Sequence, residues 1–321
     1  MIHRRSLLVG LTALAATLLM SAPLRADTPL KIVATTGMIA DAARQVGGDM
    51  VEVQALMGPG VDPHAYRQTR TDILALTRAD LVLWHGLYLE AQMEAFMADL
   101  AGKVPVVAVA EGLPRDLLRG HDDYDGKFDP HLWMVPELWK LVVLELRDAL
   151  IAARPEASET FTANAADYVD RLDRLGAYAA ESLAKVPESR RVLVTAHDAF
   201  GYFGEAYGFE VLGIQGISTE SEVGLNRIGA LVDLLVEREV GAVFVESSVS
   251  DRNVRALVEG AAAKGHEVRI GGELFSDAMG PDGSYEGTYI GMMDHNVTVI
   301  ARALGADVPP RGMDGKLSAG G

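Results

Sequence analysis

The strongest constraint on the fold is an alternation. From Leu30 onward, short apolar runs rich in β-branched residues take turns with amphipathic helical segments. LKIVATTG reads as a strand ending in a turn, and MIADAARQVGG as a helix stopped by glycine. VEVQALM, LVLWHG and VPVVAVA read as further strands, separated by the helical TRTDILALTRA and EAQMEAFMADLAG. Such runs predict a parallel sheet covered by helices on both faces. After Pro187 the pattern restarts. RVLVTAHD, FEVLGIQG, GAVFVESS and HEVRI are predicted strands; FGYFGEAYG, NRIGALVDLLVEREV and DRNVRALVEGAAAKG are predicted helices, and GTYIGMMDHNVTVIARALG closes the chain.

The middle differs. VPELWKLVVLELRDALIAA is one helix, interrupted at Arg154-Pro155. Helical apolar spacing then continues through Phe161, Ala165, Tyr168, Leu172, Leu175 and Leu183 until Pro187 ends it. At 1.5 Å per residue that helix spans roughly 45 Å, more than one small domain needs. The expected fold class is therefore α/β: two similar lobes, parallel sheets flanked by helices, linked by one long rigid helix. The expected boundaries are 27–153 for the N-terminal lobe, 154–187 for the linking helix and 188–321 for the C-terminal lobe. A chain of 321 residues with 49% hydrophobic content can build both cores. The tail PPRGMDGKLSAGG is expected to fray.

Residues 1–26 read as a cleavable export signal. Arg4 and Arg5 precede an apolar run from Leu7 to Met20, and Ala26 before Asp27 suits cleavage. The basic pair leaves both the general secretory route and the twin-arginine route open. With a formal net charge of −16, the surface is poorly suited to nucleic acid but tolerates cations. The sequence has no cysteine, which excludes disulfides, thiolate metal sites and a lipid-modified N-terminal cysteine.

Chemistry concentrates in the histidines. His64 follows the strand VEVQALM and the turn GPGVD, His131 ends an acidic loop in FDPHLWM, and His197 ends the buried strand VLVTAHD. In open α/β sheets ligands bind beyond the carboxyl ends of the strands. Three imidazoles there suit a divalent metal and leave a gap for a carboxylate. Asp277, in a Gly-rich loop after HEVRI, is the best candidate, with Asp282 as an alternative. Glu246, at the end of GAVFVESS, could orient a ligand imidazole. His85 is expected to be a hydrogen-bonded structural residue, His121 and His266 exposed, His295 packing or surface. The three tryptophans are expected in the core. GHDDYDGKFD has the acidity of a calcium loop without its spacing, and no P-loop, G-x-S-x-G or H-E-x-x-H motif occurs.

Together these residues carry a resemblance. IVATTGMIAD, GPGVDPHAYRQT, ADLVLWHGLYLE, DPHLWM, TAHDAFGYFG, GISTESEVG, FVESSVSDRNV and LFSDAMGPDGSYEGTYIGMMDHN run in order along the chain. By them it resembles the TroA-like, cluster A-I substrate-binding proteins of zinc, manganese and iron ABC transporters. The resemblance implies metal ligands at His64 and His131 from one lobe and at His197 and Asp277 from the other. It implies a periplasmic protein, expected to be a monomer, that hands its ion to an inner-membrane permease with its ATPase. Members that look manganese-specific tend to have Glu where His197 stands, and zinc-devoted members often carry a His-rich loop where this chain has HDDYDGKFD. The implied cargo is thus one ion of Mn2+ or Zn2+, with Fe2+ third. The alternative is a zinc-dependent hydrolase using the same His/Asp cluster, with Glu246 or Asp198 as base. A surface adhesin is a third option.

Overall fold

The computed structural model describes residues 28–120, 126–220 and 223–318. The expected export signal lies outside them, as do His3 and His121. All eight predicted strands form. In the first lobe β1 (Leu30–Ala34), β2 (Val51–Ala55), β3 (Leu81–Trp84) and β4 (Val106–Ala108) make one parallel sheet in the order β2-β1-β3-β4. In the second lobe β5 (Val192–Thr195) pairs in parallel with β6 (Glu210–Gly213), and β7 (Ala242–Glu246) with β8 (Arg269–Leu274). β5 and β7 lie side by side but share no ladder.

Nine α-helices cover these strands among the described residues: α1 (Gly37–Gly47), α2 (Arg70–Leu76), α3 (Glu94–Leu100), α4 (Pro136–Ala153), α5 (Ser158–Ala184), α6 (Gly201–Tyr207), α7 (Leu225–Glu237), α8 (Arg252–Ala263) and α9 (Tyr289–Ala303). Their starts are written locally. Thr36 caps α1 by accepting the Ile39 N–H; Thr69 and Asp72 form a reciprocal capping box on α2; Pro136 occupies the first turn of α4; Thr288 caps α9. The 27 residues of α5 bury Phe161, Ala165, Tyr168, Leu172, Leu175 and Leu183 on one stripe. The helix packs on α1, α4 and α9. One apolar cluster consequently runs unbroken from β1 through α1, α4 and α5 to α9.

Two local expectations are corrected. The strand predicted as HEVRI begins at Arg269 and continues through Gly271-Gly272 to Leu274. A β-bulge between Val243 and Phe244 shifts the register there. A Cβ on Gly271 would meet the Phe244 ring at 2.8 Å, and one on Gly272 would meet Val299 at 2.5 Å, so only glycine lets β8 lie this close to β7 and α9. The tail is not frayed over 309–318. Met313 N–H donates to Asp294, Ser318 N–H donates to Glu286, and Leu317 is buried. These bonds satisfy two carboxylates on and beside α9 that would otherwise lie partly desolvated.

Candidate metal centre

Each of the three histidines is placed by a turn at the carboxyl end of the sheets, and the fold turns all three imidazoles inward. In Asp62-Pro63-His64 the aspartate Oδ1 accepts the His64 backbone N–H at 2.9 Å. In Asp129-Pro130-His131 the Asp129 Oδ1 accepts the His131 N–H at 3.0 Å. These are Asx turns with proline fixing the middle residue, so the tripeptide itself aims the histidine. Asp129 goes further and takes the His131 Nδ1–H at 2.7 Å. Arg119 Nη1 donates to its second oxygen at 3.3 Å, and the Tyr202 hydroxyl donates to its carbonyl at 2.9 Å.

His197, just past β5, is held by Glu246 at the end of β7. Glu246 accepts the His197 backbone N–H at 3.0 Å and the Nδ1–H at 2.5 Å. Asp129 and Glu246 thus impose the same tautomer: Nδ1 carries the proton and the Nε2 lone pair faces the centre. Asp277 follows β8. Asn296 on α9 accepts the Phe275 N–H at 2.9 Å and donates to the Phe275 carbonyl at 2.7 Å, and His295 Nε2–H donates to the Glu273 carbonyl at 2.9 Å. The buried polar residues of α9 therefore fix the segment that presents Asp277. Ser248 Oγ–H donates weakly to Asp277 Oδ2 at 3.4 Å, while Oδ1 has no hydrogen-bond partner.

The four side chains converge. Nε2 of His131 lies 3.2 Å from that of His64 and 3.3 Å from that of His197. Asp277 Oδ1 is 3.4 Å from His131 Nε2, and Oδ2 is 3.2 Å from His197 Nε2. One donor atom from each residue lies within 4.8 Å of all the others, and all four residues are buried. Metal–ligand bonds of roughly 2.0–2.1 Å in a tetrahedron imply donor separations of roughly 3.3–3.4 Å. These four separations match that figure and the remaining pairs lie within 4.8 Å, so the cluster can hold one metal ion.

The electrostatics point the same way. Burial works against the His131 imidazolium, but the carboxylates of Asp129 and Asp277 outweigh it and push the pKa up to about 9. His197 is likewise raised despite burial, by Asp277 and Glu246. Asp277 is held well below the carboxylate range, its burial outweighed by His197 and His131. The His64 ring meets His131 rather than a carboxylate through its Nε2, and burial lowers its pKa to about 3. A pocket this anionic draws protons when no other cation is there to neutralise it.

The other candidates separate from this group. Asp282 is exposed and outside the cluster, which removes it as the alternative to Asp277. Asp198 is half-buried and also outside it. His85 is buried, bonded to the Pro130 backbone and packed edge-on against Trp133. His266, expected to be exposed, is half-buried with Nε2 on the Val240 carbonyl. Trp139 is fully buried and stacks on Tyr289; Trp84 is half-buried at the edge of an apolar cluster. Trp133 is core but also a bridge: its ring flanks His131, and its Nε1–H donates to the Ser276 carbonyl at 2.8 Å in the other lobe. Sequence reasoning missed Asp129 and Asn296. The repeated Asp-Pro-His and the polar triplet Asp294-His295-Asn296 in an apolar helix were the available signals.

Two α/β lobes closing on three imidazoles and a carboxylate define a metal-binding protein of the two-lobed solute-binding class. The comparisons with known proteins give the family. A family model described as ZnuA, the periplasmic zinc-uptake complex component A, matches residues 32–303. The chain belongs to that family, one of solute-binding components of metal ABC transporters rather than enzymes. It is 48% identical over 285 residues to the manganese-binding lipoprotein MntA of Bacillus subtilis, covering 88% of this chain and 92% of that protein. It is 45% identical over 279 residues to the zinc-binding protein TroA of Treponema pallidum, covering 87% and 90%. The solved structure of the Treponema pallidum periplasmic zinc-binding protein superposes with a TM-score of 0.84 at 44% identity, covering 86% of this chain and 99% of that one. No helix among the described residues is long and apolar enough to cross a membrane.

Proposed function

We propose that this protein captures one Zn2+ or Mn2+ ion between its lobes, through His64, His131, His197 and Asp277, and delivers it to the permease of an ABC transporter. Fe2+ is the third candidate. The observation that carries this reading is the convergence of four buried donor atoms, two residues from each lobe. The proposed division of the chain is residues 27–153 and 188–321 as lobes, with 154–187 linking them. Export through the segment 1–26 and a monomeric state in the periplasm complete the proposal.

The metal ranking rests on donor chemistry. Three nitrogens and one carboxylate oxygen suit four-coordinate zinc. Both Asp277 oxygens face the imidazoles, which offers a fifth donor to a metal that prefers more. Relatives whose names specify manganese, zinc and iron fit this breadth. The hydrolase alternative gains no support. Four protein donors leave no open position for a reacting water.

The testing experiment is a metal-dependent melt. Zn2+ and Mn2+ should each raise the melting temperature of the parent protein by mass action. His197→Ala should lose that shift together with affinity. An unchanged shift in His197→Ala sinks the ligand assignment. Competition titration of manganese against zinc, with elemental analysis of protein from its native periplasm, ranks the metals.

A further inference from the structure

His64 differs from the other two imidazoles in how it is held. Asp129 spends its second oxygen on Arg119 of its own lobe. Asp62 sends its second oxygen across the cleft, where the Thr219 hydroxyl donates to Oδ2 at 2.5 Å. The same carboxylate therefore holds the His64 backbone with one oxygen and the C-terminal lobe with the other. The turn before it also approaches that lobe. Gly60 adopts φ +72°, and a Cβ built there would lie 3.4 Å from the Ser247 carbonyl. Beside Thr219, Glu220 accepts from Gln92 Nε2 at 2.9 Å, again across the lobes.

We infer that Asp62 is a positioning residue that couples His64 to lobe closure, and that the Thr219 hydroxyl sets how long the captured ion is retained. The inference rests on the metal-capture reading above. Asp62 can serve His64 and Thr219 together only while the lobes are drawn together. Opening the cleft breaks the Thr219 bond and frees the Asp62 turn, which loosens the least supported of the three imidazoles. Release then starts at His64, while Asp129 and Glu246 keep the other two rings aimed. The partner hydroxyl sits in the half-buried rim, where a charge-assisted bond resists opening more than it alters the folded state of either lobe.

The test is the release rate of zinc-loaded protein, chased with excess fluorescent zinc chelator in a stopped-flow instrument. Thr219→Val should speed release on the order of tenfold, the effect of losing one hydrogen bond to a charged group. Thr219→Ser keeps the hydroxyl and should restore the parent rate. On an Asp62→Ala background, Thr219→Val should add nothing, because the shared partner is gone. Equal rates for Thr219→Val and the parent, or equal acceleration by Val and Ser, overturns the coupling while stoichiometric zinc binding upholds the site. Failure of the parent protein to bind zinc or manganese overturns both.

Discussion

His131 and His197 reach the same chemical state by different routes. Each has its backbone N–H and its Nδ1–H taken by one carboxylate, and each presents Nε2 to the centre. For His131 the carboxylate is two residues back in the chain. For His197 it is Glu246, 49 residues away on a neighbouring strand. The first arrangement is a turn that any chain reading Asp-Pro-His can make. The second exists only when β5 and β7 lie side by side, and because those strands share no ladder, the Glu246–His197 pair adds a polar link between carboxyl ends otherwise held by apolar packing. One lobe orients its ligand by local geometry, the other by its tertiary structure.

That contrast can be broken by removing each carboxylate in turn. Asp129→Asn and Glu246→Gln should each cost about 10–100-fold in metal affinity, since an amide cannot hold the imidazole in the required tautomer as a carboxylate does. Glu246→Gln should also lower the melting temperature of the metal-free protein more than Asp129→Asn does, because it loosens β5 from β7. Equal melting temperatures in the two variants would show that the strands hold without the pair.

Proton linkage sharpens the same comparison. With no ion bound, the carboxylates that raise His131 and His197 favour a second proton, on Nε2, at neutral pH, and a divalent ion must displace those protons. Loading at pH 7 should release about two protons per ion, read by calorimetry in buffers of differing ionisation enthalpy. Affinity should therefore climb with pH as the medium passes through about 9, where His131 gives up its proton, with the raised His197 adding to the climb. The stability of the metal-free protein should run the other way. The His131 pKa is raised from 6.5 to about 9, so its contribution is complete below 6.5 and is lost as pH rises through 9. A pH-independent affinity between 6 and 9 would contradict the carboxylate pairing.

The smallest effect concerns the link between the two halves. Trp133→Phe removes the bond to the Ser276 carbonyl and leaves that buried acceptor unpaired, at about 2 kcal/mol by urea unfolding. Because Ser276 adjoins Asp277, affinity should fall as well, by less than in Asp129→Asn. A loss of stability with no change in affinity would confine Trp133 to packing.

Much of the fold was legible. Strand and helix periods and proline stops are local signals, and they placed the nine α-helices described here and every strand but the last. The C-terminal strand was misplaced because Gly271-Gly272 reads as a loop. In the folded chain those glycines are the only residues small enough to pass Phe244 and Val299. The tail misled for a related reason: a polar, glycine-rich stretch looks unbound until Asp294 and Glu286 are found waiting for its N–H groups. Of the site, the four donors came from the residues and the resemblance together, but what holds them did not all follow. Asp129 was written beside His131 and overlooked, whereas Asn296 could be read only as an odd polar residue in an apolar helix.

The sequence by itself determined the elements and the two Asp-Pro-His turns, because backbone geometry and Asx hydrogen bonds depend on near neighbours. Tertiary structure alone decided that Glu246 meets His197, that the Asp277 oxygens lie against the His131 and His197 rings, and that Asp62 reaches Thr219. Those pairings join residues far apart in the chain: the neighbouring of β5 and β7 brings Glu246 to His197, and the packing of the two lobes on one another brings Asp277 to His131 and Asp62 to Thr219.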